Sequence, residues 1–318
     1  MKGFDAEFRD LDHFIRVITE RIWEGRRIED IRRYYSGDCA VETPASVSIG
    51  IEPVIDGTRA TLKAFPDRRL LAEDVIASGD EHGGFLSSHR IFSPMTHAGD
   101  GIFGPPTFKP VFARTIADCV CINNRIVHEW LVRDQAAIAR QIGVHERDLA
   151  QRWLDERGGY GKPAMPPAPG QYKSFIDPNP LAQNYAATYG RLWSGAEPLS
   201  LAATHHDRVI VGLPGGEAAV GAAAVLRFWA GISKALPGAR FELEHLVTNA
   251  RDGLATSIAM RWRVHAMHEG GGRYGRASGK LVEVLGISHA DVIQGRIVRE
   301  WVLIDDVAIW MQILQARA

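Results

Sequence analysis

The stretch RIVHEWLVRDQAAIARQI, residues 125–142, returns as RIVREWVLIDDVAIWMQI at residues 296–313. Its first nine residues alternate with the period of a strand, and an Asp then opens a run with helical spacing. Working outward, an offset of 171 aligns residues 95–142 with 266–313 without a gap, and 18 of those 48 positions are identical. The same offset pairs Lys63-Ala64-Phe65-Pro66 with Lys234-Ala235-Leu236-Pro237, and Glu73 with Glu244. A slip of one residue pairs Ile22-Trp23-Glu24-Gly25 with Leu192-Trp193-Ser194-Gly195. Such a period is far longer than the roughly 20–50 residues of a solenoid unit, so the chain is a duplicated domain. Between the copies, residues 158–180 hold six prolines and four glycines, a composition that sustains neither helix nor ladder. The expected domains are therefore 1–157 and 181–318, joined by a linker over 158–180.

Each copy reads as helices first and strands after. In the first, apolar positions at helical spacing run over 8–25, a short helix follows over about 27–36, and another over 57–65 stops at Pro66. Strand-like runs then cover about 69–78, 84–92, 109–122 and 125–133, the last two joined by a two-residue turn. The expected class is α+β: two tandem cone-shaped domains, each a bent antiparallel sheet with about three helices enclosing a pocket. On the run 109–122 one face carries Val111, Ala113, Thr115, Ala117, Cys119 and Cys121. Its equivalent is Val282, Val284, Gly286, Ser288, Ala290 and Val292. These mostly small side chains suit a face that leaves room for a ligand.

Composition narrows the function. A net charge of −1 over 318 residues argues against a nucleic-acid partner. No run of about 18 apolar residues predicts a membrane span, and the charged N-terminus lacks the apolar core of a signal peptide. Three cysteines cannot build a disulfide framework. The cytoplasm is the expected compartment.

The stretch Thr96-His97-Ala98-Gly99, the turn Gly104-Pro105-Pro106-Thr107 and the run Arg125 to Gly143 resemble the polyketide cyclase family typified by SnoaL, also called SnoaL-like or ester-cyclase-like. In the second copy His268, Gly275, Lys280 and the run Arg296 to Asp305 carry the resemblance. It implies the cone of nuclear transport factor 2-like proteins. It also implies pairing of such domains, here an intramolecular pseudo-dimer, with a homodimer of these as a further step. In the family's aldol-type cyclases the catalytic carboxylate lies three residues before the strand-end Asp, the position of Leu131 and Val302. The accompanying His lies on the preceding strand, where Ala117 and Ser288 stand.

Glu129 and Glu300 remain as acid/base candidates, because a carboxylate aimed into an apolar cavity has its pKa raised toward the proton-transfer range. The alternative for each is an ion pair with Arg90 or Arg261 on the neighbouring strand. His97 and His268 open a glycine-rich connection, as polar helpers of catalysis or as hydrogen-bonded anchors. Asp134 and Asp305 begin a helix, where a cap is the simpler role. Both copies satisfy G-x-G-x-x-G (Gly99 to Gly104, Gly270 to Gly275), but a strand follows each where a dinucleotide fingerprint needs a helix. Neither the cysteines nor His205-His206-Asp207 has metal-ligand spacing, so no metal and no cofactor is expected. Two readings stay open. One is an enzyme removing a proton alpha to a carbonyl of a bound hydrophobic small molecule, giving cyclisation, isomerisation or hydrolysis. The other is a non-catalytic binding or assembly module.

Overall fold

Each copy of the repeated stretch is a strand that runs into a capped helix, and local chemistry explains why. In the computed structural model, which describes residues 1–170, 172–196 and 200–316, Asn123 and Asn124 take φ of 49° and 66°, and Gln294 and Gly295 take 51° and 73°. Two consecutive left-handed residues make the turn whose twist matches a two-residue hairpin. Asp134 accepts from the Ala137 N–H (2.9 Å), and Asp305 from Val307 (2.9 Å) and Ala308 (3.3 Å). Both are N-caps, satisfying donors that the first helical turn leaves unpaired. In the last turn of each helix, Gln141 bonds both the N–H (2.9 Å) and the carbonyl (2.8 Å) of Phe112. Gln312 does the same to Glu283, at 2.8 and 2.9 Å. Cap and clamp are identities that both copies keep, and the turn keeps its geometry with other residues.

In the first unit, α1 (Leu11–Thr19) runs into a π turn (Glu20–Glu24), then α2 (Ile31–Tyr34), β1 (Tyr35–Thr43), β2 (Ser46–Ile49) and α3 (Ile51–Ala64). The strands β3 (Leu71–Asp80), β4 (Gly84–Thr96), β5 (Pro110–Ile122) and β6 (Arg125–Arg133) follow, then α4 (Gln135–Ile142). The sheet order is β2-β1-β6-β5-β4-β3, antiparallel except that β1 lies parallel to β6. The sheet is thus mixed rather than wholly antiparallel. β1 and β2 are two strands that the hydrophobic pattern does not announce, because YSGDCAVET carries its polar residues in a block instead of alternating.

The second unit repeats this with α6 (Pro180–Ser194), β7 (His205–Leu213), β8 (Glu217–Val220), α7 (Ala222–Ala235), β9 (Arg240–Asn249), β10 (Thr256–Met267), β11 (Leu281–Ile293), β12 (Arg296–Leu303) and α8 (Asp306–Leu314). Its order is β8-β7-β12-β11-β10-β9, with β7 parallel to β12. The π turn adds one residue to the first copy and opens the slip seen at Trp23 and Trp193, and the longer turn between β7 and β8 closes it, since register matches Tyr35 with His205 but Ile49 with Val220. Ahead of that turn the phase of the helices sets Phe14 and Ile18 against Tyr185 and Tyr189.

Compact units divide the chain as Met1–His145 with Gly161–Lys173, and Glu146–Tyr160 with Ser174–Ala318. The segment expected as a simple linker over 158–180 is therefore shared. The helix α5 (Glu146–Arg157), which follows the first copy in sequence, packs on α8 of the second unit and buries Leu149, Ala150, Trp153 and Leu154. Residues 161–173 return to the first unit, where Lys162 pairs with the buried Glu42 at 2.6 Å.

Candidate functional site

On β6 the pairing register sets Glu129 opposite Cys119 of β5 and Val41 of β1. Cys119, Val41, Cys39, Cys121 and Ala117 share one core with Phe14, Ile15 and Ile18 of α1, so this face of the sheet looks at the helices. Glu129 is on it. Trp130 pairs with Asp118 and Glu42 and occupies the opposite face. In the second unit Glu300 lies opposite Ala290 and Val211, the matching place.

The two glutamates sit in opposite environments. Glu300 is buried, and its Oε1 accepts from the hydroxyls of Tyr185 and Tyr189, both at 2.7 Å. Its Oε2 lies 3.2 Å from Nε2 of His205, whose Nδ1 is 2.7 Å from the Thr204 hydroxyl. Burial alone would raise its pKa, but bonds from His205 and the two tyrosines outweigh burial and hold it below the usual glutamate value. In the first unit Phe14, Ile18 and Tyr35 stand where these three donors stand. Burial dominates there, and the Tyr35 hydroxyl and Arg133 charge only partly oppose it. Glu129 is raised from 4.5 to about 7. Burial, with the Glu129 charge next in order, pushes the Cys39, Cys119 and Cys121 thiols well above their ordinary range. They stay protonated and poor nucleophiles at neutral pH.

Linkage turns this into a measurable result. A carboxyl whose folded pKa is raised contributes stability below its unfolded value and loses it as pH rises through the folded value. For Glu129 that window is pH 4.5 to about 7, and the loss is about 3 kcal/mol. Urea unfolding of wild type and Glu129→Gln across this window should show the wild type losing stability relative to the variant. Parallel curves would refute the raised pKa.

The interiors also differ in filling. In the second unit Tyr189, Trp193, Trp229 and Trp262 interlock with ring centroids 5.3–5.7 Å apart. Gly286 and Ser288 are the small residues that suggested room for a ligand. The room is taken by Trp262: a Cβ on Gly286 would overlap its ring, and its Nε1 donates to Ser288 at 3.1 Å. The first unit has Ile18, Thr58 and Ile91 in place of Tyr189, Trp229 and Trp262. Water reaches its interior: Val41, Ile91, Ala117 and Glu129 keep 5–8% exposure, against 0–2% for Val211, Trp262, Ser288 and Glu300.

The other expected site residues do not join the glutamates. His97 follows Thr96, which pairs with Pro110, whereas Glu129 pairs with Cys119. From Pro110 to Cys119 is roughly 30 Å of strand, at about 3.3 Å per residue. His268 and Glu300 are separated in the same way, because Met267 pairs with Leu281 and Glu300 with Ala290. Each His instead anchors its connection: His97 Nδ1 lies 3.2 Å from the Thr107 hydroxyl, and His268 Nδ1 lies 3.0 Å from that of Ser278. The glycines following them dock on the end of α3 or α7, where a Cβ at Gly99 or Gly270 would overlap the carbonyl of Lys63 or Lys234. Arg90 and Arg261, the expected partners of the glutamates, pair with Glu73 (3.2 Å) and Glu244 (3.1 Å). Asp134 and Asp305 serve as helix caps. Sequence reasoning missed Tyr185, Tyr189, His205 and Tyr35. His205 could have been found by strand register: it pairs with Ile297 as Tyr35 pairs with Ile126, so its equivalent is Tyr35 and not the Ser36 that a simple reading places there.

Among the described residues, none of the helices is long and apolar enough to cross a membrane, and His, Cys, Asp and Glu form no group of three suited to a metal. Two α+β units with six-stranded sheets, each with a buried glutamate facing its helices, define a tandem of cone-type domains. The chain belongs to the SnoaL-like polyketide cyclase family, which it matches twice, over residues 14–142 and 183–313. Solved structures similar to it include IdmH of Streptomyces antibioticus, at 22% identity and a TM-score of 0.36, covering 41% of this chain and 96% of that one. TsrD of Streptomyces laurentii is 16% identical with a TM-score of 0.37, covering 44% and 98%. A SnoaL-like polyketide cyclase of Agrobacterium tumefaciens is 19% identical with a TM-score of 0.34, covering 42% and 99%. No curated protein matches the chain.

Proposed function

We propose that the first unit binds a small molecule between its sheet and helices, and that Glu129 acts there as general acid/base. The observation that carries this is a carboxyl held near pKa 7 on a face that water reaches. At neutral pH such a group is part ionised, so it can take a proton alpha to a carbonyl and return it, as cyclisation, isomerisation or hydrolysis requires. The second unit is the structural copy, its interior filled by aromatic rings and its glutamate locked by three donors. Mass spectrometry of small molecules that co-purify with the chain names the substrate class. Glu129→Gln should then reduce turnover about 100-fold or more, the usual worth of a general base. Unchanged turnover would remove Glu129 from the chemistry. A non-catalytic binding module is the second reading, favoured by Leu131 and Ala117 standing where the family's aldol-type cyclases carry their catalytic pair. It predicts a tightly held ligand that is recovered unaltered.

A further inference from the structure

Arg68 is sealed into the first unit without an acid. It is 5% exposed, and among the described residues no hydrogen bond or ion pair reaches its guanidinium. Its main chain is occupied, the N–H by the Phe65 carbonyl (3.1 Å) and the carbonyl by Arg26 (3.3 Å). Glu24 is the carboxylate whose charge bears on it, but the oxygens of Glu24 are taken by Arg69 Nε (3.1 Å) and the Leu70 N–H (2.5 Å). Arg68 and Leu70 are buried while Arg69 between them is exposed and bonds the Pro94 carbonyl of β4 through its N–H (3.1 Å), so the chain just ahead of β3 runs extended along β4 and the buried pair shares one face. The counterpart of Leu70 confirms the direction: Phe241 lies 6.1 Å from the Trp262 ring and 6.4 Å from Tyr189. Arg133 follows Glu129 and Leu131 at period two on β6, on the same inward face, and its charge acts on both Glu129 and Arg68. At the positions of Arg68 and Arg133 the second unit has Ala239 and Ile304, both buried.

An uncompensated buried charge is strongly destabilising, and a guanidinium does not escape by giving up its proton. The copy with the filled interior lacks both arginines, and the copy that water enters has them. We propose that the interior of the first unit takes a small organic carboxylate, its anionic end held by the Arg68 fork beside Arg133 and its apolar body on Ile18, Ile91 and Leu131. A carboxylate matches the fork with two parallel bonds. A phosphate matches it as well, but brings a second charge that one guanidinium leaves unneutralised. This assignment rests on the reading of the first unit as the binding copy.

The test uses the full chain with three probes: naphthalene-2-carboxylate, its methyl ester and phenyl phosphate, followed by equilibrium dialysis. The carboxylate should bind about tenfold or more tightly than the ester, the usual worth of a bond to a charged group. Arg68→Met should erase that preference, leave ester binding unchanged and raise the melting temperature of the ligand-free protein. Arg68→Lys, which keeps the charge, should retain part of the preference. Equal binding of carboxylate and ester, or a preference that survives Arg68→Met, overturns the anionic site while leaving the pocket intact. Tighter binding of phenyl phosphate overturns the choice of anion. Failure of all three probes sinks the pocket reading itself, and the proposal with it.

Discussion

Glu300→Leu is expected to lower the unfolding free energy by about 3–5 kcal/mol at pH 8, at roughly 1–3 kcal/mol for each buried donor left without its acceptor. The loss exceeds that of one bond because Tyr185, Tyr189 and His205 all aim at this carboxylate and would keep their burial without an acceptor. Glu129→Leu, at the equivalent place, is expected to be neutral or stabilising at that pH, since a carboxyl with a raised pKa is costly to ionise. Urea denaturation of both variants measures the contrast, and equal losses would refute it. The pH dependence has opposite signs. Glu300 has a lowered folded pKa, so its contribution is present above the unfolded value of 4.5 and is lost as pH falls through the folded value.

Gly286→Val should destabilise by about 3 kcal/mol, the upper part of the range for overpacking a filled core. The clash is with the middle of the Trp262 indole and not with the free end of a flexible chain. Trp262 is fully buried against Tyr189, Trp193 and Phe241, so the ring has nowhere to turn. Adding Trp262→Ile, which reproduces the pairing of Thr115 with Ile91 in the first unit, should recover much of the loss. A double variant no more stable than Gly286→Val would show that the strain lies elsewhere. Near-UV circular dichroism should report the displaced indole directly.

How much of this was legible in the sequence depended on range. The Asp cap and Gln clamp act within about thirty residues of one another, so both copies kept them and the duplication could be read from identity, while the hairpin turn kept only its geometry. β1 escaped because its polar residues stand in a block and do not alternate, and β2 because four residues are too few to show a period. The glutamates were visible as candidates, but their opposite characters were not. Those are set by residues from a helix more than a hundred positions away, Tyr185 and Tyr189 against Phe14 and Ile18. The small residues on β11 misled for a related reason: Gly286 can signal empty space or a neighbour's ring, and only β10 tells which. His97 and Glu129 looked like partners because each recurs in both copies, yet recurrence carries no distance.

The chain visits its first unit, then its second, returns to the first and ends in the second: residues 1–145, 146–160, 161–173 and 174–318. A gene fusion that left two beads on a string could be undone by one nick. Here a cut after residue 145 or after 160 strips the first unit of 161–173, and a cut after 173 strips the second of α5. No single cut therefore leaves both units whole: a break after 173 spares the first and costs the second α5, while a break after 145 spares the second and costs the first residues 161–173.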